Sequence, residues 1–208
     1  ELVRRVNPRL EDRTETLVVT FGGMGGKFGG ILPFEFSTFM KNSKVLKQVD
    51  QMFFVDKAQR HYLQGIDRIS FDVASTEAYL SSKIFGYKNV VFVGTSAGGY
   101  AAILFGSLLR VTSVLAFVPQ TVLAGSKQTE VSATVDARYR DIKPFLNDET
   151  SYTLFSWHKD VYTGNHGRHH CDHLVEGGAK NIRVVFTEDN VKGMRDSGRL
   201  ESIFREVL

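Results

Sequence analysis

Ser96 is the residue of this chain best placed to do chemistry. It lies in Val90-Val91-Phe92-Val93-Gly94-Thr95-Ser96-Ala97-Gly98-Gly99-Tyr100-Ala101-Ala102, where an apolar, β-branched segment runs into Gly-x-Ser-x-Gly and then into a helical pattern. A strand that turns this sharply into a helix strains the serine at the junction, so the residues around it must be small, and Gly94, Gly98 and Gly99 meet that demand. The turn lifts Ser96 Oγ clear of the sheet and aims the helix N-terminus at it. A hydroxyl held there is a nucleophile for acyl transfer once a base takes its proton. The oxyanion formed on attack needs hydrogen-bond donors. The backbone N–H of Ala97 is one, and the glycine-rich run Gly22-Gly23-Met24-Gly25-Gly26 offers Gly23 and Met24 as the second.

The base and the acid that orients it must come from elsewhere. The histidines cluster late, at His158, His166, His169, His170 and His173. After the last apolar run comes Thr187-Glu188-Asp189-Asn190, and no histidine follows it. Three arrangements stay open. His170 serves as base with Asp189 orienting it, since a triad is defined by geometry and role rather than by chain order. Alternatively the base has been lost and the chain binds without turnover. In the third, Ser96 works with His158 and either Asp160 or Asp172.

The same region resembles a metal site in composition, but structural zinc sites show separated ligand pairs, which it lacks. On a helix only His169 with His173, or His170 with His173, share a face. The expectation is solvated histidines, no metal and no cofactor. The glycine loop also imitates nucleotide motifs and fails both. Phe21 stands where a P-loop has its first glycine, and Phe28 stands where Ser or Thr would follow the lysine and where a dinucleotide fingerprint has its third glycine. His61 and Tyr62, after the second apolar run, are placed either to line the pocket or to lie on the surface. Trp157 is a substrate platform or, more simply, core packing.

The elements that must position these residues alternate. Strands are expected over 17–21, 51–55, 89–93, 113–118, 152–155 and 182–186. Helices are expected over 34–46, 97–109 and 170–175, along Ile69, Val73, Leu80 and Ile84 with Asp67 as N-cap, and at the end through Leu200, Ile203, Phe204, Val207 and Leu208. The polar, less periodic stretch 123–148 is a candidate lid. Such alternation implies an α/β fold, a parallel sheet of about six strands covered by helices on both faces. The site then sits beyond the carboxyl ends of the strands. With 208 residues, 42% of them hydrophobic, the chain is expected to form one domain over 1–208. Its net charge of +3 is scattered, which argues against nucleic acid as a partner. No run is long enough for a membrane span, and the first residues lack the apolar core of a signal peptide. The single Cys171 fits a reducing, cytoplasmic setting. The chain lacks an initiator Met, and the expectation is a trimmed chain or one cut from something longer. Neither substrate nor oligomeric state is written in these patterns.

With these residues in view, the chain resembles the α/β-hydrolase superfamily, in a short form that begins at the strand bearing the oxyanion loop. The matching pieces are Val18-Val19-Thr20-Phe21-Gly22-Gly23, Phe54-Val55-Asp56, Gly94-Thr95-Ser96-Ala97-Gly98-Gly99-Tyr100 and Ala116-Phe117-Val118-Pro119-Gln120-Thr121. The last third fits in outline, through His169-His170 and Asn190-Val191 to Gly198. More narrowly it is similar to small hydrolase-like domains of bacterial and phage-type proteins that occur beside polysaccharide-modifying enzymes. The resemblance implies a three-layer sandwich, a nucleophile elbow at Ser96 and a serine esterase acting on a small-molecule or carbohydrate ester. It equally admits a degenerate binding or accessory domain. The chain departs from the superfamily order of Ser, acid, His, because Asp189 stands about where the histidine is expected.

Overall fold

The computed structural model describes residues 14–24, 27, 33–123, 136–157, 166–176, 178 and 180–208, the side chains of 33–36 and 166–168 excepted. Six strands make one parallel sheet: β1 (Thr16–Phe21), β2 (Asp50–Phe54), β3 (Asn89–Thr95), β4 (Ser113–Phe117), β5 (Ser151–Trp157) and β6 (Ile182–Thr187). Their order across the sheet is β2-β1-β3-β4-β5-β6, every neighbouring pair parallel. The helices are α1 (Pro33–Asn42), α2 (Val73–Ile84), α3 (Ala97–Leu108), α4 (His166–Val175), α5 (Val191–Asp196) and α6 (Arg199–Val207).

Successive strand residues point to opposite faces, and a sheet covered on both faces needs apolar residues on each. β3 shows this residue by residue. Val90 and Phe92 enter one core with Leu80 of α2, Ile103 of α3 and Leu174 of α4. Val91 and Val93 enter the other with Met40 of α1, Met194 of α5 and Phe204 of α6. α3 is buried from Ala97 through Ser107, as a helix that is apolar all round must be. The three-layer arrangement expected from the alternation is therefore present.

The chain leaves β1 for β2 on one side and then crosses back to β3 on the other side of β1. That reversal opens a crevice beyond the carboxyl ends of β1 and β3. The glycine loop leaves β1 there, and Ser96 leaves β3 there.

Several boundaries differ from the sequence expectation. α2 starts at Val73, and its N-cap is Asp72 rather than Asp67. Asp72 Oδ1 accepts from the Ser75 N–H at 2.7 Å, and Ser75 Oγ accepts from the Asp72 N–H at 3.1 Å. These two bonds satisfy helix-start donors reciprocally, which Asp67 cannot match with Ser70 already engaged at the Ile66 N–H. α1 stops at Asn42 because Ser43 Oγ accepts from Val45 and Leu46, starting a separate 3-10 turn over Leu46–Gln48. The C-terminal pattern is split in two at Gly198, whose φ of 79° ends one helix and begins the next. Within 123–148, residues 124–135 lie outside the described set. The remainder holds short 3-10 turns at Ala137–Arg140 and Lys143–Phe145, tied down by the Val122–Asp141 bridge and by the Tyr100 hydroxyl on the Tyr139 carbonyl. Among the described residues no helix is long and apolar enough to cross a membrane.

Candidate active site

Ser96 occupies the single residue between β3 and α3, with φ 51° and ψ −117°. That is the backbone of the first central residue of a type II′ turn, ordinarily glycine's. A residue with a Cβ pays strain to hold it, on the order of 1–3 kcal/mol. Three backbone bonds impose it. The Ser96 N–H donates to Phe117 O at 2.9 Å, and its carbonyl accepts from Tyr100 N–H at 3.0 Å and Gln120 N–H at 3.3 Å. The flanking glycines are needed for close approach. A Cβ on Gly94 would stand 2.0 Å from Gly98 O, and one on Gly98 would stand 2.1 Å from Phe21 O. Ser96 is half-buried, it does not cap the helix, and its Oγ makes no hydrogen bond among the described residues.

The expected oxyanion donors differ in how free they are. The Ala97 N–H belongs to the first turn of α3, where amides lack intrahelical acceptors and the helix end carries partial positive charge. The glycine loop lies against the serine turn, since a Cβ on Gly23 would come within 2.9 Å of Thr95 O. Of its two expected donors, Gly23 is already committed, giving its N–H to Lys27 O at 2.7 Å. The Met24 N–H makes no bond among the described residues, and Met24 is 45% exposed. The loop is fixed from below. The Gly22 N–H donates to Phe54 O at 3.0 Å, and the buried Tyr62 hydroxyl donates toward Gly22 O at 2.9 Å and Phe54 O at 3.1 Å.

The histidines are distributed otherwise. His170, buried on α4, packs on Thr121 in the loop after β4. Its Nδ1 accepts from the Thr121 N–H at 3.1 Å, with Thr121 Oγ1 at 3.0 Å, and that hydroxyl reaches His170 O at 3.1 Å. A ring whose Nδ1 accepts from the main chain carries its proton on Nε2 when neutral. A triad base needs the opposite tautomer, with the proton on Nδ1 and Nε2 bare toward the serine. Asp189 is exposed just after β6, its N–H donating to Thr187 Oγ1 at 3.2 Å in its own turn, and it forms no hydrogen bond or ion pair with His170. His173 Nε2 pairs with Asp141 at 3.0 Å, and His169 is exposed. Asp172 is half-buried beside Cys171, whose thiol burial pushes up to about 12 with Asp172 adding to the shift. His158, Asp160 and the His166 side chain lie outside the described residues. Among those described, no group of three or more His, Cys, Asp or Glu is arranged to hold a metal.

His61 and Tyr62 are buried rather than surface residues, 1% and 0% exposed. His61 Nε2 meets Gln120 Oε1 at 2.6 Å. Burial lowers the His61 pKa, partly offset by that bond and by the Asp56 charge. Gln120 and Thr121 are the residues given no role from sequence. Their signal was their place, directly after a central strand at the carboxyl end of the sheet. Trp157 ends β5 half-buried, against the core shared with α1, α5 and α6.

No protein family matches this sequence, nor does any curated protein. Solved structures do. The capsule O-acetyltransferase of Neisseria meningitidis serogroup A, as its H228A mutant with CoA, superposes with a TM-score of 0.67 at 13% identity, covering 99% of this chain and 91% of that one. MPT51 (FbpC1) of Mycobacterium tuberculosis gives 0.66 at 12% identity, covering 99% and 91%. A hyperthermophilic esterase of Pyrobaculum calidifontis gives 0.61 at 12% identity, covering 99% and 78%. The fold of this chain is the α/β-hydrolase fold.

Proposed function

We propose that this chain is a serine acyl hydrolase, with Ser96 as nucleophile and an ester, carried on a carbohydrate, as substrate. The observation that carries the reading is the Ser96 turn: a strained backbone, an unbonded hydroxyl and an unpaired helix amide side by side. Strain of this kind persists only where surrounding structure enforces it, and it clusters at sites of chemistry. An esterase and a capsule O-acetyltransferase of the same fold support acyl transfer and the sugar-borne ester as its setting.

In this reading Ser96 Oγ attacks the acyl carbonyl and its proton passes to the base. The carbonyl oxygen becomes an oxyanion held by the Ala97 and Met24 amides, each such donor contributing about 3–4 kcal/mol to the barrier reduction. Collapse expels the alcohol, which leaves with the base's proton, and water then releases the acyl group from Ser96. His170 is the proposed base. Its backbone contact, Thr121, adjoins Gln120, whose N–H holds the Ser96 carbonyl. Acting as base requires the ring proton to move to Nδ1, which gives up the bond from the Thr121 N–H and donates to Thr121 Oγ1, while that hydroxyl gives its own proton to His170 O. Thr121 thus stands where an acid would orient the ring, and Asp189 stays in its turn.

A second reading, a binding or accessory domain without turnover, draws on one observation. Among the described residues the Ser96 hydroxyl hydrogen-bonds to no base, the His170 ring holding the tautomer opposite to a base's. Labelling with a fluorophosphonate separates the two. Labelling of wild type that vanishes in Ser96→Ala and falls in His170→Ala supports the hydrolase. Folded wild type that takes no label supports the accessory domain. Normal labelling of His170→Ala together with loss in His158→Ala moves the base to His158.

A further inference from the structure

The loop after β2 is built with unusual backbone expense. Gln59, His61 and Tyr62 have φ of 53°, 57° and 63°, the left-handed region that side chains disfavour. One carboxylate enforces it: Asp56 Oδ2 accepts from the Arg60 N–H at 2.6 Å and from the Tyr62 N–H at 2.9 Å. The result turns two adjacent side chains inward. Tyr62 reaches the carbonyl of Gly22 in the glycine loop. His61 goes the other way. It lies edge-on against the ring of Tyr100, centroids 5.5 Å apart, and bonds the Gln120 side chain.

Gln120 Oε1 can only accept, so His61 Nε2 is the donor, and His61 Nδ1 is left buried with no partner among the described residues. A buried imidazole with one nitrogen unsatisfied is costly if its only task is packing, because an apolar side chain would fill the space without that penalty. The bond it does make leads to the nucleophile. The Gln120 N–H and the Tyr100 N–H are the two donors on the Ser96 carbonyl, and His61 contacts both of those residues.

We infer that His61 is a positioning residue for Ser96, clamping Gln120 so that the serine turn keeps its strained conformation. The inference rests on the acyl-transfer reading for its catalytic consequence. His61 touches neither substrate nor the reacting hydroxyl; it acts through Gln120 and Tyr100.

The test uses His61→Leu, which removes the donor, and His61→Gln, whose amide nitrogen reaches about where Nε2 lies. Two quantities are measured: hydrogen exchange at the Gln120 amide, and fluorophosphonate labelling resolved into its saturating rate and its half-saturating concentration. In His61→Leu the exchange rate rises about tenfold or more and the saturating labelling rate falls about 10- to 100-fold with little change in half-saturation. His61→Gln restores most of both. Gln120→Leu breaks the same link from the other side and serves if His61→Leu does not fold. A folded His61→Leu that exchanges and labels like wild type overturns the inference and leaves the acyl-transfer reading standing. Wild type that takes no label strikes that reading instead, and Gln120 exchange alone then decides whether His61 holds the turn: unchanged exchange overturns the clamp, faster exchange supports it.

Discussion

The two halves of the crevice are made differently. On the β1–β3 side the backbone around Ser96 is tightly held. Gly94 and Gly98 cross at distances no Cβ allows, Ser96 is held by three backbone bonds, and Tyr62 and His61 brace the glycine loop and the serine turn from one strained loop. On the α4–β6 side, among the described residues, His173 pairs with Asp141, His170 Nδ1 accepts from Thr121, and Asp189 is exposed with its backbone N–H on Thr187. In the proposed reaction, preorganisation is thus concentrated on the side assigned to the oxyanion and nucleophile, and the side assigned to proton transfer would have to switch a tautomer to act. Electrostatic preorganisation is commonly the larger contribution to such catalysis, so a chain can retain this half while its base side varies.

The contrast predicts a gradient of effects. The largest is at Ser96. Ser96→Ala removes labelling and hydrolysis of p-nitrophenyl acetate by about a thousandfold or more, read against wild type at equal folded concentration. Next is the glycine crossing. Gly98→Ala forces a Cβ to within 2.1 Å of Phe21 O, and neither backbone can yield cheaply. Its unfolding midpoint in urea should fall by the equivalent of about 3 kcal/mol or more, if it folds at all. A substitution of similar size on the other half, Asp189→Ala, removes an exposed carboxylate while keeping the main-chain bond to Thr187, and should change stability by less than about 0.5 kcal/mol. A loss of activity there beyond about tenfold would show that Asp189 reaches the ring and would erase the contrast.

Smaller effects sharpen it. Ser96→Gly removes the hydroxyl but suits the backbone, so it should be inactive and more stable than Ser96→Ala by about 1–2 kcal/mol. Thermal melts of the pair measure stored strain directly. The smallest effect is in pH. Burial lowers the His61 pKa below its ordinary 6.5. The unfolded chain therefore binds this proton more readily than the folded one, and stability falls as pH drops below about 6.5 toward the lowered folded value. Replacing His61 by Gln should flatten that part of the stability profile.

How much of this was legible in the sequence follows from how local each feature is. The Ser96 turn was readable because strand, glycines and helix are contiguous, and steric demand leaves few residue types that fit. The parallel sheet follows from the alternation, which puts the candidate site at the strand ends. Asp67 is the cap expected from the sequence, and the signal that favours Asp72 is Ser75, three residues after it, which completes the reciprocal bonds. The His61–Gln120 bond joins residues 59 apart through a loop of left-handed residues, which no periodicity signals. The loss of Gly23 as a donor depends on where Lys27 O falls, and glycine-rich composition does not set that. His170 is a candidate base by its residue type alone, and its tautomer is dictated by Thr121, a contact between chain segments 49 residues apart.

The central claim, that the turn after β3 presents an activated hydroxyl, is met most directly by trapping the acyl-enzyme. Wild type mixed with p-nitrophenyl acetate and quenched in acid should carry one acetyl group, and peptide mapping should place it on Ser96. An unmodified wild-type protein, or an acetyl group that persists in Ser96→Ala, contradicts the account.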